Sequence, residues 1–412
     1  MNLEKRRWLI LVINCLINLC IGSLYAWSVF SSPLASKINE VNGFVGNAAV
    51  TAVSLAIVFT IANGVGPITM IFGGSINDKL GPKWVIFIGG LLFGSGMYFA
   101  SIATSIITLI FTYSLGCGLG MGLIYGCTVN NSVKLFPDKR GLIGGIVTAT
   151  YGLSSVIVAP VAQKLITMTS VSTTLKIFGI IFVIIICGGS FLVEKCPDGW
   201  VPEGFEVKNN NNNSVVNKNY KEMLKDINFY LMIIMLMCGA FSGLMIISQA
   251  SPMAVKVVNT SAATAAICVS VLSLFNVGGR VLAGLLSDKI GSVNTLTLTY
   301  IIAITGMIIL TRCSEGTLIL FITGFALVGL CFGSIMGVFP AFTANQFGPK
   351  NNSMNYGIMF IGFALAGLFG PGIAGSIVVK TNSYNNAFIL AMSLSLLGII
   401  LTFVYRKLNT NN

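Results

Sequence analysis

The sequence of 412 residues has no histidine and only twelve acidic residues, and charged residues make up 9% of it. A soluble domain usually carries about 25% charged residues, which cover its surface. Hydrophobic residues make up 55% of this chain. The charges are too few to cover a water-exposed surface, so most of the surface is predicted to face lipid.

Signals of metal, cofactor and nucleotide chemistry are also missing. The ten cysteines form no Cys-x-x-Cys pair and no zinc-ligand spacing, so we predict no metal and no other cofactor. No Walker sequence is present, which argues against ATP-driven chemistry in this chain. The apolar runs hold no cluster of acids, histidines or a nucleophile with its base, so an enzyme is not predicted.

Long apolar runs are what the sequence does have. A run of about 20 apolar residues is long enough to cross a bilayer as a helix. Twelve such runs are present, and the sequence therefore predicts an all-α membrane protein with twelve transmembrane helices, numbered here in chain order: 8–30, 48–72, 84–104, 106–130, 141–165, 173–194, 228–250, 261–286, 293–312, 316–342, 353–378 and 384–406.

The positive charges predict the orientation. With a cytoplasmic N-terminus, 17 of the 24 lysines and arginines fall on the cytoplasmic side and 6 on the other, and Arg280 belongs to neither. Cytoplasmic loops carry the excess of lysine and arginine. We therefore expect a multi-pass protein of the cell membrane with both termini in the cytoplasm. The net charge of +12 is attributed to topology and anionic lipid, and no nucleic-acid partner is expected.

The chain contains two copies of one design. GSINDKLG after helix 2 holds Gly74, Asp78 and Gly81, and GLLSDKIG after helix 8 repeats them 210 residues later as Gly284, Asp288 and Gly291. The glycines at 118, 122 and 126 of helix 4 recur 211 residues later at 329, 333 and 337 of helix 10. The predicted domains are two pseudo-symmetric six-helix bundles, 1–194 and 228–412, joined by a polar cytoplasmic linker, 195–227. Parallel repeats of this kind are a transporter architecture with a substrate site between the halves.

These segments also carry a family resemblance. GSINDKLGPK resembles the loop motif of the major facilitator superfamily, and GSLYAWSVFSSPL, GLIYG and FNVGGRVLAGLLSDKIG resemble the oxalate/formate antiporter family, which is similar to monocarboxylate transporters. The resemblance implies a major facilitator fold in which both Asp-Lys loops, with Asp78 and Asp288, act in gating. Asp78 is expected to cap a neighbouring helix or to pair with a cation.

Arg280 is the residue on which the predicted chemistry depends. It precedes Asp288 by eight residues, or roughly 12 Å of helix, and therefore lies inside the bilayer. A cation at that depth is a functional-site hypothesis by default. All twelve acids lie in loops or at helix ends, so the expected partner is a small organic anion. The alternatives are pairing with backbone carbonyls, snorkelling to the surface, or a salt bridge to Asp78 or Asp288. Asn276, one turn earlier, is expected to orient the guanidinium.

The resemblance implies that Tyr25, Tyr125 and Tyr151 line the pocket, while Trp27 is expected to be an anchor at the membrane surface. Oxalate carriers of the family have a lysine in helix 11 where this sequence has Phe363. One cation would leave a dianion half compensated, which is costly in an apolar site. The sequence therefore favours a monocarboxylate such as lactate, pyruvate or formate, with Phe332 and Phe339 of helix 10 contributing an apolar wall.

The sequence leaves two other functions open. An oxalate/formate-type dicarboxylate antiporter and a major facilitator carrier for a non-anionic solute are the alternatives. With no histidine and no embedded acid, exchange against a counter-anion or facilitated diffusion is favoured, and proton symport requires that the substrate itself or the bound pair carry the proton. We expect a monomer that works by rocking of its two halves.

Overall fold

In a computed structural model of the protein, residues 3–46, 49–51, 54–203 and 217–410 are described, and all regular secondary structure in these ranges is helical. Within these ranges, twelve helices are long and apolar enough to cross a membrane. The prediction of an all-α protein with twelve transmembrane helices is confirmed. Helices 1 to 12 span Leu3–Asn42, Ala56–Leu80, Pro82–Ala100, Ile106–Leu135, Arg140–Met168, Val171–Ser190, Ile227–Ser248, Ala262–Ile290, Ser292–Thr311, Leu318–Phe347, Asn352–Thr381 and Asn385–Thr410.

Three of these helices change character along their length. Helix 1 is α-helical over Leu3–Ile21 and Trp27–Asn42, with a 3₁₀ segment at Gly22–Ala26 between them. Helix 4 contains a π-helical segment, Ile110–Cys117, and helix 11 consists of Asn352–Met359 and Ile361–Thr381. Such irregular turns are frequent at functional sites, and the 3₁₀ segment contains Tyr25.

Two short helices lie outside the spans, Tyr220–Met223 and Ala250–Val258. The first belongs to the predicted linker and begins with a capping box, in which the Asn219 side chain accepts from the Glu222 amide and the Glu222 side chain accepts from the Asn219 amide. The asparagine run 209–213 of the linker lies outside the described residues.

By its internal contacts the chain divides into two compact units. The first comprises Met1–Phe136, Thr150–Asn209 and Lys350–Ile358, and the second comprises Pro137–Ala149, Asn210–Pro349 and Met359–Asn412. The start of helix 11 therefore packs with the first unit and the start of helix 5 with the second. The predicted bundle boundaries at 194 and 228 stay a prediction.

The repeated glycines produce the same packing in each unit. In the first unit, a Cβ at Gly118 or Gly122 of helix 4 would overlap the backbone oxygens of Ala62 or Gly66 in helix 2, and a Cβ at Gly126 would lie 2.8 Å from Cγ of Met70. Only glycine permits such close approach of two helices.

In the second unit, a Cβ at position 329, 333 or 337 of helix 10 would overlap the backbone oxygens of helix 8. Each overlapped residue stands 210 positions after its counterpart in helix 2; they are Leu272, Asn276 and Arg280. The repeat seen in the sequence is therefore also a repeat of helix contacts.

Candidate functional site

Arg280 lies within helix 8 and is only 1% exposed. Its Nη1 donates a hydrogen bond to the backbone oxygen of Thr148 at 2.5 Å, and its Nε donates to Oδ1 of Asn276 at 3.2 Å. A guanidinium has five N–H donors. These two hydrogen bonds hold the group in place and use only part of its donor capacity.

No residue in the described ranges forms an ion pair with Arg280. Asp78 pairs instead with Lys134, and both oxygens of Asp288 accept backbone N–H groups. With 1% exposure, the guanidinium does not reach the surface by snorkelling. Of the alternatives open from the sequence, the bond to a backbone carbonyl is the one that the structure contains, and it neutralises no charge. The positive charge therefore remains uncompensated among the described residues.

Glycines hold the backbone around Arg280 tightly. A Cβ at Gly145 of helix 5 or at Gly337 of helix 10 would overlap the backbone oxygen of Arg280. A Cβ at Gly333 would overlap the backbone oxygen of Asn276, one turn earlier. Since both neighbouring helices contact this turn of helix 8 without intervening side chains, backbone packing sets the position of the Arg280 backbone, while the guanidinium is held by its two hydrogen bonds.

Asp288 caps the start of helix 5 in the second unit. Its Oδ1 accepts from the Gly141 amide at 2.7 Å and its Oδ2 from the Leu142 amide at 2.8 Å. The first N–H groups of a helix have no partner within the helix, and a carboxylate there is favoured by the helix dipole. Gly284 packs directly against Gly141, where a Cβ on either residue would overlap the other backbone.

Asp78 holds the equivalent place in the first unit. It accepts from the Met354 amide at 3.0 Å and the Ser353 amide at 3.3 Å, at the start of helix 11. Its Oδ1 also lies 2.6 Å from Nζ of Lys134. A Cβ at Gly74 would lie 2.5 Å from the Ser353 oxygen. The structure thus gives this carboxylate both a helix start and a cation.

The third residue of each loop motif turns the chain. Gly81 has φ +93° and Gly291 has φ +85°, a left-handed backbone that favours glycine. Each ends its helix, and the next helix begins at the following residue, Pro82 or Ser292. The two loops therefore present their carboxylates from the last turns of helices 2 and 8.

The three tyrosines meet in the first unit. The ring of Tyr151 in helix 5 lies 5.0 Å from that of Tyr25 and 5.2 Å from that of Tyr125, both edge to face. Tyr125 and Tyr151 are buried and Tyr25 is half-buried. Gly22 allows this approach, because a Cβ there would overlap the Tyr151 oxygen.

Phe332 and Phe363 lie in the second unit, with ring centroids 6.4 Å apart, and Phe363 stacks on Phe360 at 4.6 Å. Phe332 is buried against Gly243 of helix 7, while Phe363 is partly exposed. Phe332, Phe360 and Phe363 therefore form one aromatic group in the second unit, and the apolar wall for a substrate stays a prediction.

The position of Trp27 differs from the one predicted from the sequence. Its side chain is 6% exposed and packs against Tyr113 at 4.6 Å, so the prediction of an anchor at the membrane surface is wrong. The helix continues to Asn42, which places Trp27 in the middle of helix 1 rather than at its end.

Sequence reasoning missed the role of the first part of helix 5. The Thr148 carbonyl is a backbone group, which residue type does not reveal. A usable signal was present in Gly141 and Gly145, four residues apart, since small residues at this spacing mark close helix packing. Asn14 and Asn18 of helix 1 were also missed as tethers; they bond Ser132 at 2.9 Å and Thr128 at 2.7 Å.

Comparison with known proteins bears on this arrangement. The family model described as Major Facilitator Superfamily matches residues 7–316. The solved structure of the transporter FucP in the outward conformation superposes with a TM-score of 0.70, at 14% identity, covering 97% of this chain and 99% of FucP. At that identity the likeness concerns the fold.

Three curated relatives are similar along most of their length. The uncharacterized MFS-type transporter YhjX of Escherichia coli is 28% identical over 370 residues, 89% of this chain and 87% of the relative. The oxalate:formate antiporter of Oxalobacter formigenes is 27% identical over 410 residues, 99% and 93%. Monocarboxylate transporter 12 of Mus musculus is 27% identical over 361 residues, 81% and 73%. The resemblance to these families that the sequence motifs suggested is confirmed.

Proposed function

The chain belongs to the Major Facilitator Superfamily, whose members are transporters, and we propose that it carries small organic anions, with a short monocarboxylate such as lactate, pyruvate or formate as substrate. The observation that carries this proposal is Arg280, a buried cation in a membrane-spanning helix without an ion pair among the described residues. The carboxylate of the substrate would supply the missing charge.

The energetic argument starts from the bilayer. An arginine at the centre of a membrane helix costs about 2.5–3.5 kcal/mol or more. Bonds to the Thr148 carbonyl and the Asn276 amide satisfy donors and leave that charge in place. A planar guanidinium matches a carboxylate in a bidentate geometry. Binding of a monoanion would therefore compensate the charge and orient the substrate in one step.

The aromatic side chains of the second unit favour a single negative charge on the substrate. The rings of Phe332, Phe360 and Phe363 lie together and carry no charge. A dianion facing one guanidinium would retain an unpaired charge in an apolar site. The aromatic side chains instead suit a short hydrocarbon group. In the first unit, Tyr25, Tyr125 and Tyr151 are the further substrate-binding candidates.

A second candidate function is a dicarboxylate antiporter of the oxalate/formate type. What favours it is the relative of that name, which aligns with 99% of this chain. What opposes it is Phe363, at the position of the second cation in such carriers. A carrier for a non-anionic solute would leave the charge of Arg280 unexplained.

The mode of transport follows from the titratable groups. The chain has no histidine, and the acids of helices 2 and 8, Asp78 and Asp288, are held at the last turns by backbone amides. We therefore propose exchange or facilitated diffusion by rocking of the two halves, in a monomer of the cell membrane with both termini in the cytoplasm. The glycine contacts of helices 4 and 10 keep each half rigid during such a movement.

The test is counterflow of labelled lactate, pyruvate, formate and oxalate in proteoliposomes. Wild type is compared with Arg280→Gln, and Arg312→Gln serves as the matched control because Arg312 is exposed. We expect monocarboxylate counterflow in wild type and in Arg312→Gln, and a loss of at least roughly 100-fold in Arg280→Gln, in keeping with loss of a buried charge-assisted contact.

Three results would count against the proposal. Preferred uptake of oxalate would favour the dicarboxylate antiporter. Full activity of Arg280→Gln would assign the arginine a purely structural role. Absence of transport for every carboxylate, with active control protein in the same vesicles, would exclude the substrate class.

A further inference from the structure

We propose that the hydrogen bond from Arg280 to the Thr148 carbonyl is a latch that the substrate releases. The inference rests on the proposed function, because the ligand that competes for Arg280 is the carboxylate named there. It goes further by assigning a second role to the same guanidinium: in the empty protein it ties helix 5 to helix 8. Substrate binding would then loosen this part of the second unit.

The contact between the two helices is short and specific. We call it the 5–8 seam and define it as residues 141–148 of helix 5 against residues 280–288 of helix 8. At one end, Asp288 accepts the Gly141 and Leu142 amides. In the middle, Gly141 packs on Gly284 and Gly145 packs on the backbone of Arg280. At the other end, Nη1 of Arg280 donates to the Thr148 oxygen at 2.5 Å.

Only one of these contacts can be exchanged for a ligand. The Asp288 bonds cap a helix start whose amides have no other partner, and the glycine contacts are van der Waals packing. The Thr148 carbonyl belongs to the interior of helix 5, where a carbonyl accepts the amide four residues later. The Thr148 carbonyl therefore keeps its helix hydrogen bond when Arg280 turns away, whereas Arg280 gains a charged partner.

The chemistry favours exchange in the presence of a carboxylate. A carboxylate carries a full negative charge and can accept two parallel N–H groups from one guanidinium, which adds energy and geometric specificity that a single neutral carbonyl does not offer. A bidentate carboxylate uses two N–H groups on one edge of the guanidinium. The latch requires that the carboxylate bind the Nη1–Nη2 edge and that the guanidinium turn away from Thr148 to align this edge with the ligand. Binding at the Nε edge would compete with Asn276 and leave the bond to Thr148 in place.

The first unit supplies an internal control. Its corresponding seam joins helix 2 to the start of helix 11. Asp78 accepts the Ser353 and Met354 amides, and a Cβ added at Gly357 would lie 3.0 Å from the Met70 backbone oxygen. Met70 stands 210 residues before Arg280 and has no donor. This seam has the cap and the glycine contact but no bond that an anion can replace.

Hydrogen exchange measured by mass spectrometry on the full-length protein in nanodiscs tests the latch. The peptide covering 140–149 reports on the 5–8 seam, and the peptide covering 351–359 is the control. Without ligand, Arg280→Met should exchange roughly tenfold faster than wild type in the first peptide, since a hydrogen bond to a charged group is lost. Saturating L-lactate should speed wild type by a similar factor and leave Arg280→Met unchanged. The control peptide should not respond.

A second variant separates the latch from the cap. Asp288→Asn weakens the other end of the seam without touching Arg280. Its ligand-free exchange in the 140–149 peptide should exceed that of wild type, and lactate should increase it further.

The outcomes distinguish the latch from the proposed function. If lactate is transported but the 140–149 peptide exchanges equally with and without it, the latch is wrong and the function stands. If ligand-free Arg280→Met exchanges no faster than wild type, the bond does not hold the seam, whatever the substrate. If Arg280→Met exchanges faster but no carboxylate is transported, the proposed function fails and substrate release fails with it.

Discussion

Met70 in helix 2 and Arg280 in helix 8 occupy equivalent places in the two repeats. Each is about 1% exposed. Met70 packs against Gly126 of helix 4, and Arg280 packs against Gly337 of helix 10. Each also approaches a glycine near the start of another helix, Gly357 or Gly145. The glycine contacts are present in both repeats, while only the second repeat has a charged residue at this position.

The difference distinguishes the features that occur in both repeats from the charge that occurs in one. Glycine positions and capping carboxylates recur because they set helix distances and helix starts, and both units need these. A buried charge serves no such purpose, and burying it in both copies would double its desolvation cost. The comparison therefore teaches that the frame carries the fold, and it assigns the proposed specificity to residues that differ between the repeats.

The largest expected effect comes from making the two copies alike. Arg280→Met places the residue of helix 2 in helix 8, with similar apolar volume. We expect carboxylate counterflow to fall at least about 100-fold, while the thermal midpoint stays equal or rises, because removing an unpaired buried charge offsets the lost hydrogen bond to Thr148. Counterflow and a thermal-shift assay on the same preparation check this. A parallel fall in transport and stability would mean that the charge holds the fold together.

The glycine frame predicts a loss of stability that is similar in both units. Gly333→Ala and Gly122→Ala each add one Cβ that meets a backbone oxygen, and we expect each to destabilise by about 1–3 kcal/mol, as overpacking does. Gly375→Ala is the matched control, since nothing lies within 4 Å of its would-be Cβ. Denaturant titration in detergent measures the change. Equal stability of all three variants would contradict the close packing.

A second cation tests the charge count of the site. Phe363→Lys adds a positive charge beside Phe332 and Phe360. We expect the ratio of oxalate to lactate uptake to rise about tenfold, as compensation of the second carboxylate contributes about 1.4 kcal/mol or more. Phe363→Met is the uncharged control and should keep the wild-type ratio. An unchanged ratio in the lysine variant would show that position 363 does not face the substrate.

The smallest effects concern the two capping carboxylates. Asp288→Asn should cost about 1 kcal/mol of stability, because an asparagine retains one acceptor for the helix start. Asp78→Asn should cost more, since it also removes the partner of Lys134, which lies 2.6 Å away. Thermal midpoints of the two variants, measured side by side, give the order. The reverse order would indicate that the Lys134 pair contributes nothing.

Much of the fold could be predicted from the sequence because each feature has a local signature. Apolar runs gave all twelve helices, and the 210-residue offset of Asp78 and Asp288 gave the repeat. The buried place of Arg280 followed from its distance to Asp288. Boundaries were less accurate where polar residues lie inside a helix: helix 1 continues to Asn42, and helix 2 begins at Ala56 rather than near 48.

The partners of Arg280 could not be predicted, for physical reasons. The Thr148 carbonyl belongs to a helix 132 residues away in sequence, and every residue has such a carbonyl. Trp27 was misplaced because a large aromatic side chain suits both a membrane interface and the interior of a helix bundle, and only the length of helix 1 decides between them. Contacts made by backbone groups, or decided by element length, need coordinates.

Two helix starts are capped by carboxylates that are distant in the sequence, and this has a consequence for biosynthesis. The Gly141 amide is capped by a residue 147 positions later, and the Met354 amide by one 276 positions earlier. At a synthesis rate of about 5–20 residues per second, the start of helix 5 waits roughly 7–30 s for its partner to leave the ribosome. Until then the first amides of helix 5 lack the carboxylate that caps them in the folded protein, so this helix start is expected to be completed only after helix 8 has been made.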